Sequence, residues 1–298
     1  ATIVNGDGGI PRGGSKPMVE RMKEKFLALG GTLKLNANVE SIVIKDDAAR
    51  GVKLSNGQTV EGDAVISCLD TNYTLKKILR DQYRLPSFER RFNNPKQNSS
   101  PSCILLCFSV KKDNNLPIPY TFEADPFEVG GVTIDHVTVR SYSYDETFTR
   151  NDRTVLSVMI DQSNKEYPFW RELAKTKEQY NAYKNNVANE VMKRIEEHFP
   201  HLKGDIELLD VSTPYTFKHY VNSSNGVYMS FTFTPWASMY AHAGTLKGLK
   251  DFYLSGQWLQ GPGGLPIAMT QGRFAIQRIC KKEKLSFVFE PLRKSEKA

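Results

Sequence analysis

The sequence predicts a mixed α/β fold, and three stretches carry that expectation. Asp251 to Cys280 reads as a buried strand, a glycine-rich loop and a helix start in succession. Ser15 to Cys68 reads as a helix followed by short strands. Between them, Cys103 to Val211 groups strands before and after one long amphipathic helix, the pattern of an antiparallel sheet covered by helices on one side.

At the N-terminus, Gly6, Gly8 and Gly9 open a loop that runs into Pro11, and no apolar strand precedes them. They do not form the G-x-G-x-x-G turn of a dinucleotide-binding βαβ unit, which occurs nowhere in the sequence. Ser15 is the expected N-cap of the next element and Pro17 is tolerated in its first turn. Met18, Met22, Phe26 and Leu29 recur at helical spacing before Gly30-Gly31 ends the run. Leu33 and Leu35 then alternate, as do Ile42 and Ile44, which predicts strands. Asn56-Gly57 is a hairpin turn, and Ala64 to Cys68 is a continuous apolar run suited to a buried strand.

Pro95 to Pro101 is a polar, proline-bounded crossing. After it, Cys103 to Val110, Gly131 to Tyr144 and Thr154 to Asp161 read as strands. Tyr180, Tyr183, Val187, Val191, Ile195 and Phe199 trace one face of a long helix that Pro200 terminates, and Ile206 to Val211 returns as a strand. From Thr213 to Tyr240 aromatic residues are dense: Tyr215, Phe217, Tyr220, Tyr228, Phe231, Phe233, Trp236 and Tyr240. Ordinary core packing accounts for such residues one at a time, and as a group they suit the wall of an apolar tunnel. Asn225-Gly226 among them is a hairpin signal.

The last stretch is the most specific. Phe252, Tyr253 and Leu254 form a short apolar strand that Gly256 ends. Gly261, Pro262, Gly263 and Gly264 let the backbone approach a ligand, and Pro266 fixes φ at a first helical position. A helix N-terminus behind such a loop favours an anionic or electron-rich group. Ala268, Gly272 and Ala275 leave one side of the helix nearly bare.

Composition narrows the function classes. The 298 residues, 40% of them hydrophobic, suffice for two cores. No run approaches the ~20 apolar residues of a membrane helix. Four cysteines, Cys68, Cys103, Cys107 and Cys280, imply a reducing cytoplasm without a disulfide framework. The net charge of +7 comes from 40 basic residues scattered among 33 acidic ones, without a nucleic-acid motif, so no nucleic-acid partner is expected. Arg278, Lys281, Lys282, Lys284, Arg293, Lys294 and Lys297 form the densest basic cluster, which would suit peripheral contact with anionic lipid. His198 and His201 straddle Phe199-Pro200 and lack zinc-helix spacing, so no metal is expected, while His136, His219 and His242 read as structural. No G-x-S-x-G elbow or Walker loop occurs.

The segment around Tyr253 to Gly256 and Gly261 to Pro266 closely resembles the C-terminal flavin-binding segment of the phytoene dehydrogenase family, which includes carotenoid desaturases and retinol saturase-like enzymes of the flavin amine oxidase superfamily. Gly9 to Asn72 resembles that family's middle segment. Gln257 stands where amine oxidases of the wider superfamily commonly carry Glu, a departure that weakens an amine oxidase reading. The resemblance implies an incomplete Rossmann-like FAD domain made of residues 1–96 and 241–298, and a substrate-binding domain over residues 97–240. It implies that Gly256, Gln257, Gly263, Gly264, Leu265, Pro266 and Ile267 lie against the cofactor, and that Val39 faces its adenine side, although as a Val it serves equally as core. It further implies FAD, an apolar isoprenoid-like substrate and hydride transfer to or from a C–C bond, with no catalytic side chain named. Because the βαβ fingerprint is missing, the chain is expected to be the C-terminal part of a longer enzyme and to hold no stoichiometric FAD by itself. An amine oxidase-like enzyme and a flavin-free binding module are the alternatives.

Overall fold

Two short hairpins begin the first sheet because the sequence supplies the turn chemistry they need. The structure, a computed structural model, describes residues 11–232, 234–235 and 239–289. The loop at Gly6 to Gly9, the aromatics Phe233 and Trp236, and the basic residues Arg293, Lys294 and Lys297 lie outside the described residues. Strands β1 (Val39–Lys45) and β2 (Ala48–Leu54) pair antiparallel across Asp46 and Asp47, whose φ values of 51° and 58° are left-handed positions that Asp tolerates. Asn56-Gly57 then turns β2 into β3 (Thr59–Glu61), and the Gln58 N–H donates to Asn56 Oδ1 at 3.0 Å.

The buried apolar run emerges as β4 (Val65–Ser67), followed by a helical turn α2 (Thr71–Tyr73) that continues as a π-turn to Ile78, and by α3 (Pro86–Phe92). Near the other end lie β10 (Thr245–Leu246), β11 (Leu249–Leu254) and α7 (Leu265–Lys282). The six strands form one sheet of order β1-β2-β11-β10, with β3 on β2 and β4 on β11. β11 runs parallel to both β2 and β4, so strands far apart in sequence share one layer. Phe88, Phe231, Phe252 and Trp258 fill its core, with the Phe88 and Trp258 rings edge to face at 5.7 Å. Asp251, buried at a φ of 58°, receives Arg50 at 3.0 Å and also Lys282, tying β11 to β2 and to the end of α7. The Lys282 ammonium, hydrogen-bonded to it, holds its carboxyl below the usual carboxylate range.

A second sheet is built from β5 (Pro101–Lys111), β6 (Tyr120–Val129), β7 (Val132–Ser141), β8 (Arg153–Ser163) and β9 (Glu207–Ser212), in the order β6-β7-β8-β5-β9. The pairs β6–β7, β7–β8 and β5–β9 are antiparallel. Helices α4 (Tyr167–Leu173) and α5 (Lys177–His198) supply Trp170, Val187, Val191 and Ile195 to the same core as Phe108, Leu156 and Val158. Trp170 is fully buried, and its indole N–H is satisfied by Gln162 Oε1 at 3.0 Å.

The chain divides into two compact units, one of residues 11–37 with Cys103–Thr216 and one of Asn38–Ser102 with residues 217–289. These boundaries differ from the expected 1–96 with 241–298 against 97–240. Helix α1 (Ser15–Ala28) buries none of its residues, and the Gly13 N–H just before it donates to Asp145 in the same unit at 2.8 Å. Phe217 to Tyr240 goes with the first sheet because Phe231 sits in its core, while the backbone N–H groups of Tyr228 and Thr232 bond to Pro101 and Ser99.

Four local expectations are corrected. Gly14, not Ser15, caps α1, and its glycine side offers no capping oxygen. The Met22, Phe26 and Leu29 stripe is exposed rather than core-facing. Leu33 and Leu35 form no strand and are likewise exposed. Asn225-Gly226 closes a single 3₁₀ turn (Ser224–Gly226) after α6 (Pro214–Val221), with Asn225 at φ 57°, and it joins no pair of strands.

Candidate functional site

Parallel strands end on the same side of a sheet, which leaves a crevice at their carboxyl ends where ligands bind in open α/β folds. β4 and β11 do this here. Leu254 is in register with Ser67, and the next residue, Ser255, donates its N–H to the Ser67 carbonyl at 2.9 Å. The chain leaves β4 through Cys68, Leu69 and Asp70 and leaves β11 through Gly256 and Gln257. These residues, with Phe217, Tyr220, Tyr228 and Trp258, line a cavity of about 510 Å³.

One side chain in the wall of this cavity fixes the glycine loop beside it. Gln257 donates through Nε2 to the Tyr228 carbonyl at 2.9 Å, and its Oε1 accepts from the Gly264 N–H at 2.9 Å. Strand end, loop and the 228–230 segment are thereby joined. Gly263 and Gly264 have φ values of 90° and 84°, in the left-handed region that favours glycine. A Cβ at Gly263 would lie 2.9 Å from both the backbone N and the Cβ of Ser230, so the protein itself occupies that space. A Cβ at Gly264 would meet only Met229 Cε and Pro266 Cδ at 3.9 Å, and its outer side is open.

The opposite wall is held by Asp70. It caps α2 by accepting from the Tyr73 N–H at 2.9 Å, and it also accepts from the Ser224 N–H at 3.0 Å and the Ser224 hydroxyl at 2.7 Å. Burial nonetheless pushes its pKa up, and burial likewise raises the Cys68 thiol. Asp70 was assigned no role from the sequence. Its partner Ser224 is 154 positions away, and that link has no local signal.

The structure therefore brings together Gly256, Gln257, Gly263 and Gly264. Leu265 and Pro266 open α7, with Pro266 the second helical residue rather than the first, and Ile267 follows in its first turn, half-buried. Among the described residues no side chain caps this helix. Val39 is set apart: it lies half-buried on β1, two strands from β11, paired with Leu54, and does not line the cavity. Phe217, Tyr220, Tyr228 and Trp258 give the cavity aromatic walls that suit a flat ring system, and Gly264, outside that lining, has room for a Cβ with nothing closer than 3.9 Å. Gln257 is committed to two backbone groups, so its role is to position the loop. Gln257→Leu is expected to lose about 1–3 kcal/mol of stability, since the Gly264 N–H loses its acceptor and the link from the loop to the Tyr228 carbonyl is removed. Urea unfolding tests this, and an unchanged midpoint would show the clamp to be idle.

Among the described residues no group of three His, Cys, Asp or Glu could hold a metal, and no helix is long and apolar enough to cross a membrane. Cys103 has its thiol pushed up to about 12 by burial, then by Asp161, so it stays a thiol.

Comparison with known proteins agrees with this geometry. Residues 4–280 match the family described as flavin containing amine oxidoreductase. The chain is 26% identical over 243 residues to prolycopene isomerase of Daucus carota, covering 76% of this chain and 35% of that protein. It is 38% identical over 110 residues to a lycopene-forming phytoene desaturase of Pseudescherichia vulneris, covering 36% of this chain and 21% of that one. A 4,4'-diapophytoene desaturase of Methylomonas matches at 21% identity over 93% of this chain and 54% of its own length. The chain thus spans between about a fifth and about half of the length of these relatives. An oxidoreductase structure from Methanosarcina mazei superposes with a TM-score of 0.54 at 14% identity, over 91% of this chain and 56% of that one. The chain belongs to the flavin containing amine oxidoreductase family, and within it is similar to carotenoid desaturases and isomerases.

Proposed function

We propose that this chain is part of an FAD-dependent oxidoreductase that moves a hydride between the flavin and a C–C bond of an apolar, isoprenoid-like substrate. The observation that carries the reading is the cavity at the carboxyl ends of β4 and β11, whose wall residue Gln257 also holds the adjoining glycine loop in one geometry. Bound FAD would supply the two-electron exchange. The chain's own residues hold and shape. Gly264 lets the ring approach the backbone, Gln257 keeps Gly264 and Tyr228 in fixed relation, and Phe217 and Trp258 wall the slot. In this reading Leu265, Pro266 and Ile267 present the start of α7 to the cofactor, and Val39 contacts it from β1.

The five-stranded sheet is the proposed substrate platform. It carries a concavity of about 400 Å³ whose lining includes Leu105, Thr138, Arg140, Tyr142, Ser157 and Met159. Its mixed lining would hold hydrocarbon by removing it from water, at ~25 cal/mol per Å² buried. Arg278, Lys281 and Lys284, near the end of α7, would add peripheral attraction to anionic lipid, about 1 kcal/mol each when held at the surface.

The pyrophosphate of FAD needs its own cradle, and the sequence contains no G-x-G-x-x-G turn to provide one. The expected result for this chain incubated with excess FAD and desalted is a flavin absorbance well below one per chain. A form extended upstream to include a βαβ unit should retain the flavin. Equal retention by both would overturn the division of the site, and retention by neither would overturn the flavin reading.

A further inference from the structure

A second concavity, of about 480 Å³, shares no lining residue with the loop cavity and belongs to the same unit. Its lining includes Ser87, Arg90, Arg91, Asn94, Gln97 and His242, and among the described residues no Asp or Glu. Arg91 is held in place, donating to Asn98 Oδ1 at 3.1 Å with its guanidinium 4.7 Å over the Tyr240 ring. Arg90 is exposed and forms no ion pair among the described residues.

His242 supplies an independent observation. It is 5% exposed, its Nδ1 shares a hydrogen bond with Ser87 Oγ at 2.9 Å, and its Nε2 is buried without a partner among the described residues. A buried polar atom left in this state costs about 1–3 kcal/mol. If Ser87 donates to Nδ1, Nε2 carries a proton that no group among the described residues accepts. Complementing the α3 dipole would account for two arginines near its C-terminus. It does not account for the concavity, its amide lining or the orphaned imidazole nitrogen.

We propose that the concavity bounded by Arg90, Arg91 and His242 binds a phosphate group, carried by a soluble phosphate ester or by a lipid headgroup. One guanidinium fork satisfies both oxygens of a carboxylate. A phosphate has enough oxygens to receive two guanidinium groups and an imidazole N–H together. This inference is independent of the flavin reading.

The test is an NMR titration of the chain with labelled histidines, adding inorganic phosphate at constant ionic strength with chloride as control. A saturable shift of the His242 ring signals is expected, with affinity about tenfold weaker in Arg90→Gln, whose exposed side chain leaves the fold intact. No saturable shift, or equal affinity in the variant, would overturn the proposal. Co-sedimentation with vesicles of phosphatidylcholine and phosphatidic acid in equal parts then assigns the source. Capture that inorganic phosphate competes away and that Arg90→Gln weakens identifies a lipid headgroup. Any other vesicle result, given phosphate binding, identifies a soluble ester.

Discussion

Replacing Gly263 by valine is expected to destabilise the protein by roughly 2–6 kcal/mol, the sum of a strained backbone and an overfilled space. Its φ of 90° is unfavourable for a branched residue, and the new Cβ would press on the Ser230 backbone N at 2.9 Å and on Gln257 Oε1 at 3.2 Å. A backbone atom cannot rotate away as the end of a side chain can. Gly264→Ala is the matched control, because its φ of 84° is similar while its Cβ would meet nothing closer than 3.9 Å. It should cost only the strain of its backbone, extended at positive φ (84°) with ψ −179°, about 1–3 kcal/mol. Urea midpoints for both variants decide the matter, and equal losses would mean that the close packing against Ser230 contributes nothing.

Acidification should weaken the fold through His242, by about 3 kcal/mol between neutrality and pH 4. Burial, then Arg91, pushes its pKa down to about 4 from an unfolded value near 6.5. Above pH 6.5 both states are neutral there and nothing is lost. As the pH falls through 6.5 the unfolded chain takes up a proton that the folded chain refuses, so stability drops, and the loss levels off once the folded imidazole also protonates near pH 4. Unfolding free energies measured across this range for the wild type and His242→Gln should converge on acidification. Parallel curves would show that the imidazole is not held neutral.

The parts of the fold legible in the sequence are those with local causes. Ala64 to Cys68, apart from Ser67, and Phe252 to Leu254 are apolar because β4 and β11 lie in a mixed sheet with parallel pairing, and the α5 stripe at Val187, Val191 and Ile195 does reach a core. β6 escaped notice because Pro126 interrupts its alternation. The structure absorbs that proline at a register shift between Glu123 and Phe127, a place where a strand can do without one N–H. The α1 stripe misled for the opposite reason: periodicity shows a face, and nothing local shows what meets it.

At the candidate site, the glycines were readable as a ligand-approach loop, but the reason for one of them was not. Gly263 is required by Ser230, and Gln257 is occupied by Tyr228, 29 positions earlier. Such pairs leave no trace in spacing or composition.

The joining of β11 to β4 also bears on the order in which the protein can be assembled. β1, β2 and β3 close through short turns and can form as soon as they are synthesised. β4 finds its strand partner in β11, so its backbone groups have no ladder until residue 254 has been made, after the whole of residues 103–216. Closing so long a loop is slow when it is an open chain, and collapse of the intervening unit on its own core shortens the effective span. Within that unit β5 and β9 pair from Leu105 to Ser212, so its own ladder closes the span. Until it has formed, the apolar edge of β4 is a nascent-chain hazard of the kind that invites wrong strand pairing.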